Sequence, residues 1–202
     1  MKREDFLVLV LAVVFVFSII MILNQHSMMT GYLTTGDTFS NVSITTYFSI
    51  AMSENLSDGI QFGSISSLPA TDTNATHNYD GANTTLDGAG ANKGTSMWMN
   101  VSTDSNSAVD FCINASATLS TTGADSFEVG NETYHNSTYT NSSSPNVTEQ
   151  VALTAAWVKS GYNIAAGSDN YYRFWLDVPA AQATGTYNNT VEFKGVAIGG
   201  GC

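Results

Sequence analysis

The chain has 202 residues with 6 Lys+Arg against 17 Asp+Glu, a formal charge of -11, and only 11% charged residues in all. No basic stripe is available to displace counterions from phosphate, so nucleic acid is not an expected partner. With so few charges, solubility must come mainly from uncharged polar groups, hydroxyls and amides above all, to which any attached glycans would add.

The first segment, Met1-Lys2-Arg3-Glu4-Asp5, precedes an apolar run from Phe6 to Leu23 that carries no charge and one hydroxyl, Ser18. Such a run predicts a helix about 27 Å long, close to the thickness of a bilayer core. Lys2 and Arg3 favour a cytoplasmic start and an exterior remainder. Three fates fit it: a removed signal peptide, a retained membrane anchor, or a helix that leaves the membrane to pack among its copies. The sequence after Leu23, Asn24-Gln25-His26-Ser27, offers no Ala-x-Ala-like cleavage site. The expected organisation is a hydrophobic helix over 1–30 and an exterior domain over 31–202, the latter long enough to bury a core.

Beyond residue 40 the pattern becomes short and alternating. Val42, Ile44, Thr46, Phe48 and Ile50 share one face of a predicted half-buried strand. Further strands are predicted at 60–65, 96–101, 108–119, 126–129, 150–159, 171–178 and 187–198, separated by Gly, Asn, Asp and Ser clusters. About eight strands so spaced indicate an antiparallel sandwich, jelly-roll or Ig-like. The expected class is therefore α+β, mainly β: a long N-terminal hydrophobic helix followed by the sandwich. The span 71–94 has almost no large apolar residue and reads as a long loop or flap. The span 131–148 reads as an edge covered by sugar.

Eleven Asn-x-Ser/Thr triplets occur, at Asn41, Asn55, Asn74, Asn83, Asn100, Asn114, Asn131, Asn136, Asn141, Asn146 and Asn188. The chain has eighteen Asn, and roughly a quarter of its residues are Ser or Thr, so random placement would give about four or five. The excess points to N-glycosylation and hence to a location outside the cytoplasm.

Trp98, Trp157, Trp175, Tyr171, Tyr172 and Phe174 suggest a carbohydrate platform. Their alternation around Arg173 and Leu176 favours packing, with an intersubunit contact as the second alternative. The two cysteines, Cys112 and Cys202, form one disulfide in an oxidising exterior, or link two chains, or leave Cys112 as a buried thiol. His26, His77 and His135 lack metal-ligand spacing, and no nucleophile elbow, P-loop or dinucleotide fingerprint occurs. Asp72, Asp80 and Asp87 lack EF-hand spacing and read as solvated loop. No catalysis, metal, cofactor or small-molecule substrate is expected.

The basic start at Lys2 and Arg3, the acidic pair Glu4 and Asp5 directly before a Phe6-led apolar run, and the sequon-dense β-rich remainder resemble archaeal type IV pilin-like and archaellin-like surface proteins. That resemblance implies cleavage by a prepilin peptidase ahead of the helix, and a fibre core in which Phe6, Leu7, Leu9, Phe15, Phe17, Ile20 and Leu23 pack. The stretches 60–71 and 175–193 look like segments of archaeal and secreted β-sandwiches, and bear on fold alone. The expected function is a structural subunit of an extracellular, N-glycosylated, pilus-like filament on an archaeal surface, serving adhesion or surface structure. Its partners would be copies of itself and, before assembly, the membrane. The alternatives are a membrane-anchored monomeric surface glycoprotein and a carbohydrate-binding module.

Overall fold

The computed structural model describes Leu11 and residues 13–16, 41–78, 96–123, 125–141 and 143–202. The chain divides into two compact units, Met1–Ile44 and Thr45–Cys202.

The expectation of an α+β molecule built on a long hydrophobic helix is overturned. The structure is mainly β with antiparallel sheets, and among the described residues no helix is long and apolar enough to cross a membrane. Of the apolar run, Leu11 and residues 13–16 are helical, and Leu11, Val13, Phe15 and Val16 are exposed. Most of a helix's stability in a folded protein comes from packing an apolar face, and these side chains bury little. Of the expected packing residues only Phe15 is described. Phe6, Leu7, Leu9, Phe17, Ile20 and Leu23 lie outside the described residues.

The second unit contains β1 (Ile50–Met52), a one-turn helix α1 (Glu54–Ser57), β2 (Ala70–Asn74), β3 (Met97–Val101), β4 (Val109–Ala115), β5 (Leu119–Ser120), β6 (Ser126–Phe127), β7 (Glu132–Ser137), β8 (Val151–Ala152), β9 (Val158–Ile164), β10 (Asp169–Val178) and β11 (Val191–Ala197). One sheet runs β1-β3-β10-β7-β8, with β2 also paired to β10; a second runs β11-β4-β9; β5 and β6 form a small hairpin. The two larger sheets share one core, an arrangement that fits a β-sandwich.

The ten-residue strand β10 is the spine of the larger sheet. Its period of two places Tyr172, Phe174 and Leu176 in register with Asn136, Tyr134 and Glu132 of β7, so these pairs share one face. Tyr172 and Phe174 are buried there with Tyr134, and Phe193 of β11 meets Tyr172 edge-on at 5.2 Å. Each fully buried ring of this kind contributes roughly 2–3 kcal/mol. All seven residues of β4 are buried, as befits the middle strand of the smaller sheet. Gly161 in β9 is closely packed: a Cβ there would stand 2.8 Å from Asn170 Nδ2, so the buried Asn170 would have to shift.

Several expected strands shift. Most of the 41–50 segment is not assigned as strand, and Val42 and Ile44 are exposed, since among the described residues no sheet partner faces them. The 60–65 segment is irregular, with Gly63 at φ 68°. β2 falls in a span expected to be loop, and β7 in one expected to be a sugar-covered edge. Both are polar sequences recruited by the neighbouring β10, a case of tertiary pairing overriding weak local preference.

Candidate glycan-bearing surface and apolar groove

The sequon asparagines separate by exposure and by what their carboxamides do. Asn41, Asn74, Asn141 and Asn188 are exposed and Asn55 is half-buried. Among the described residues no hydrogen bond engages the Nδ2 of these five: Asn74 Oδ1 accepts from Asn78 Nδ2 and Asn141 Oδ1 accepts from the Ser143 amide, which leaves each Nδ2 outward. Four others are half-buried and donate from Nδ2 to other groups of the protein. Asn100 donates to Asp169 Oδ1 at 2.7 Å, Asn131 to the Asp177 carbonyl at 3.1 Å, Asn136 to Asn170 Oδ1 at 3.1 Å, and Asn146 to Glu149 Oε2 at 3.2 Å. Asn114, the next-to-last residue of β4, is 6% exposed. Asn83, Asp80 and Asp87 lie outside the described residues.

At one end of the sandwich the two sheets part around a groove of about 800 Å3. Its apolar lining includes Leu119 and Phe127 of the small hairpin, Leu176 and Val178 at the end of β10, and Val191 and Phe193 of β11, with Phe62 and Ile65 from the irregular 60–65 stretch. Val191, Phe193, Phe62 and Ile65 are only half-buried. Aliphatic and aromatic side chains on the inner face of a sheet are normally fully covered; here the cover is incomplete.

Glu132 also lines this groove. It takes a core-facing place opposite Leu176 and is 1% exposed. Its Oε2 accepts from Asn189 Nδ2 at 2.8 Å. Burial pushes its carboxyl up to about 7, opposed by the Asn189 hydrogen bond. Reading residues alone missed Glu132, because the only signal was its two-residue offset from Tyr134 in a segment dominated by sequons.

Of the six aromatic residues of the candidate carbohydrate platform, three are buried and three half-buried. Tyr172, Phe174 and Trp175 are buried, Trp98 and Tyr171 are half-buried, and Trp157 lies under Lys194 Nζ at 4.3 Å from its ring centre. On the outer face of β10 the Arg173 guanidinium donates hydrogen bonds to the Asn141 and Pro145 carbonyls, and Arg173 itself is buried.

Cys112 of β4 and Cys202 are joined by a disulfide, with a Cα–Cα distance of 5.9 Å. The adjacent β11 residue Lys194 donates to the Cys202 main-chain oxygen, so the last residues are held against the smaller sheet. Near the disulfide, the buried Asp110 accepts from Lys159 Nζ at 2.7 Å, from the Asn163 amide at 2.9 Å and from the Gly199 amide at 3.2 Å. The Lys159 hydrogen bond holds its carboxyl below the usual carboxylate range. One acidic side chain thus ties β4, β9 and the tail together.

Of the histidines, His77 is half-buried and His135 accepts from the Asn146 amide at Nδ1 while its Nε2 lies 3.3 Å from Glu149. Burial lowers the His135 pKa, which favours the neutral ring that this pair of contacts requires. His26 lies outside the described residues. Among the described residues no cluster of three or more His, Cys, Asp or Glu side chains could hold a metal ion.

No family model, curated protein or solved structure matches this chain.

Proposed function

We propose that this chain is a structural subunit of an extracellular, N-glycosylated filament or surface layer, working by assembly. The observation that carries the reading is the placement of the sequons: of the ten that are described, only Asn114 is buried, and five present a free Nδ2. A compact β domain coated by sugar and closed by a disulfide suits an oxidising exterior. Of the six aromatic side chains of the candidate carbohydrate platform, Tyr172, Phe174 and Trp175 are buried and the other three are half-buried, which favours the structural reading.

Glycopeptide mass spectrometry of native surface material tests it. Occupancy is expected to be highest at Asn41, Asn55, Asn74, Asn141 and Asn188, lower at the four asparagines whose Nδ2 is engaged, and lowest at Asn114. A bare chain would overturn the reading. Electron microscopy of the same material should show the domain repeating along a fibre or in a lattice; only isolated particles would favour an anchored monomeric glycoprotein.

A further inference from the structure

The groove and one exposed stretch of chain carry apolar side chains at the same two-residue spacing. Within the smaller sheet β11 pairs with β4 on one side only, and among the described residues its other edge has no strand. Seven residues of unpaired edge are a template for another strand. The inner side of that edge is where the groove lies, lined by Val191 and Phe193 at a spacing of two. These two side chains are half-buried, whereas the neighbouring β4 is buried throughout.

The other half of the pair is Asn41–Thr46. Val42 and Ile44 alternate with polar residues and are 80% and 81% exposed, although the continuation of the same alternation, Phe48 and Ile50, packs against the core. The stretch carries no charge and no proline. Its apolar residues recur every two positions, as do Val191 and Phe193, so a strand laid along the free edge of β11 would turn Val42 and Ile44 into the groove. Asn41, Ser43 and Thr45 would face outward, where a glycan on Asn41 is accommodated.

We propose that the occupant of this groove is the Asn41–Thr46 arm of a second copy of this chain, added as a further strand on β11. The inference rests on the filament reading above and supplies its joint. Chain reach favours a neighbouring copy. Thr45 is held by Asn106, three residues before the Val109–Ala197 end of the β4–β11 pair, while the groove lies toward the Ala115–Val191 end. Six steps of strand separate those ends, about 20 Å; the four residues Asn41–Ile44 extend to about 14 Å at most. An arm that fills another copy's groove leaves its own groove open, and such a heterologous contact propagates into a fibre.

The test compares the full glycosylated chain with the Val42→Ser/Ile44→Ser variant, whose changes fall on exposed positions, by light scattering, electron microscopy and thermal melting. The expected result is fibres from the unaltered chain and at least a tenfold loss of assembled mass from the variant, with the monomer melting unchanged. A second pair, Ile44→Cys with Val191→Cys, should give a ladder of cross-linked oligomers on non-reducing gels, and neither single substitution should. If both the unaltered chain and the double-serine variant form the same fibres, the arm-to-groove joint is overturned while the filament reading stands. If the unaltered chain is monomeric at every concentration, both fall. A monomer whose β11 amides lose their exchange protection in the double-serine variant would mean that the arm fills its own groove, which also overturns the proposal.

Discussion

Glu132 is a carboxyl in a place that the alternation of β7 assigns to an apolar side chain, opposite Leu176 and beside the groove. Its folded pKa is raised from 4.5 to about 7 by burial. Well below pH 4.5 the folded and unfolded chains both hold the proton and ionisation adds no penalty. As pH rises from 4.5 to 7 the unfolded chain releases the proton first, so stability falls, and the penalty is complete above the folded pKa. A shift of this size corresponds to about 3 kcal/mol. Glu132→Gln keeps an acceptor for Asn189 and removes the charge. It should melt higher than the unaltered chain at pH 8, and the gap should close at pH 4. Equal melting curves at both pH values would show that the carboxyl is solvated and that burial does not hold its proton.

At the scale of elements, β10 changes partners along one edge: Asp169–Tyr172 pair with β3, and Trp175–Val178 with β2. Asn78 fills the gap. Its Oδ1 accepts from the Phe174 amide at 2.9 Å and its Nδ2 donates to the Phe174 carbonyl at 2.7 Å, so one side chain imitates a strand. Asn78→Ala leaves a buried amide unpaired, and two lost bonds with that desolvation should cost about 2–4 kcal/mol in denaturant unfolding. A loss under about 0.5 kcal/mol would mean that water replaces the side chain. None of this was readable beforehand, because Asn78 stands at the edge of a polar span that looks like loop. The strands with strong alternation or many apolar residues, β3, β4, β10 and β11, were legible to within a few residues. β2 and β7, with sequences Ala-Thr-Asp-Thr-Asn and Glu-Thr-Tyr-His-Asn-Ser, were not, since they become strands only beside β10. In the 41–50 segment the reverse holds: Val42 and Ile44 carry a strand pattern with no strand of the same molecule to pair with among the described residues.

For the molecule as a whole, the Cys112–Cys202 bond closes a loop with a sequence separation of 90. In the chain-entropy treatment that constrains the unfolded chain by about 4–5 kcal/mol. Reduction, or Cys112→Ser, is therefore expected to lower the unfolding free energy by that order, and a chain with unchanged denaturant midpoint would show that the Lys194 and Asp110 contacts alone hold the tail. The even cysteine pair, the excess of sequons, the acidic balance and the alternating strands were all available from residue identity, because counts and periods of two are local properties. Local pattern also suggested the long helix, and the described structure does not bear that out, since a helix depends on what its apolar face meets. Which sequons keep a free Nδ2, which carboxyl enters the core, which polar segments become strands and where a sheet edge remains open were decided only by tertiary structure, because burial and pairing depend on neighbours brought together from distant parts of the chain.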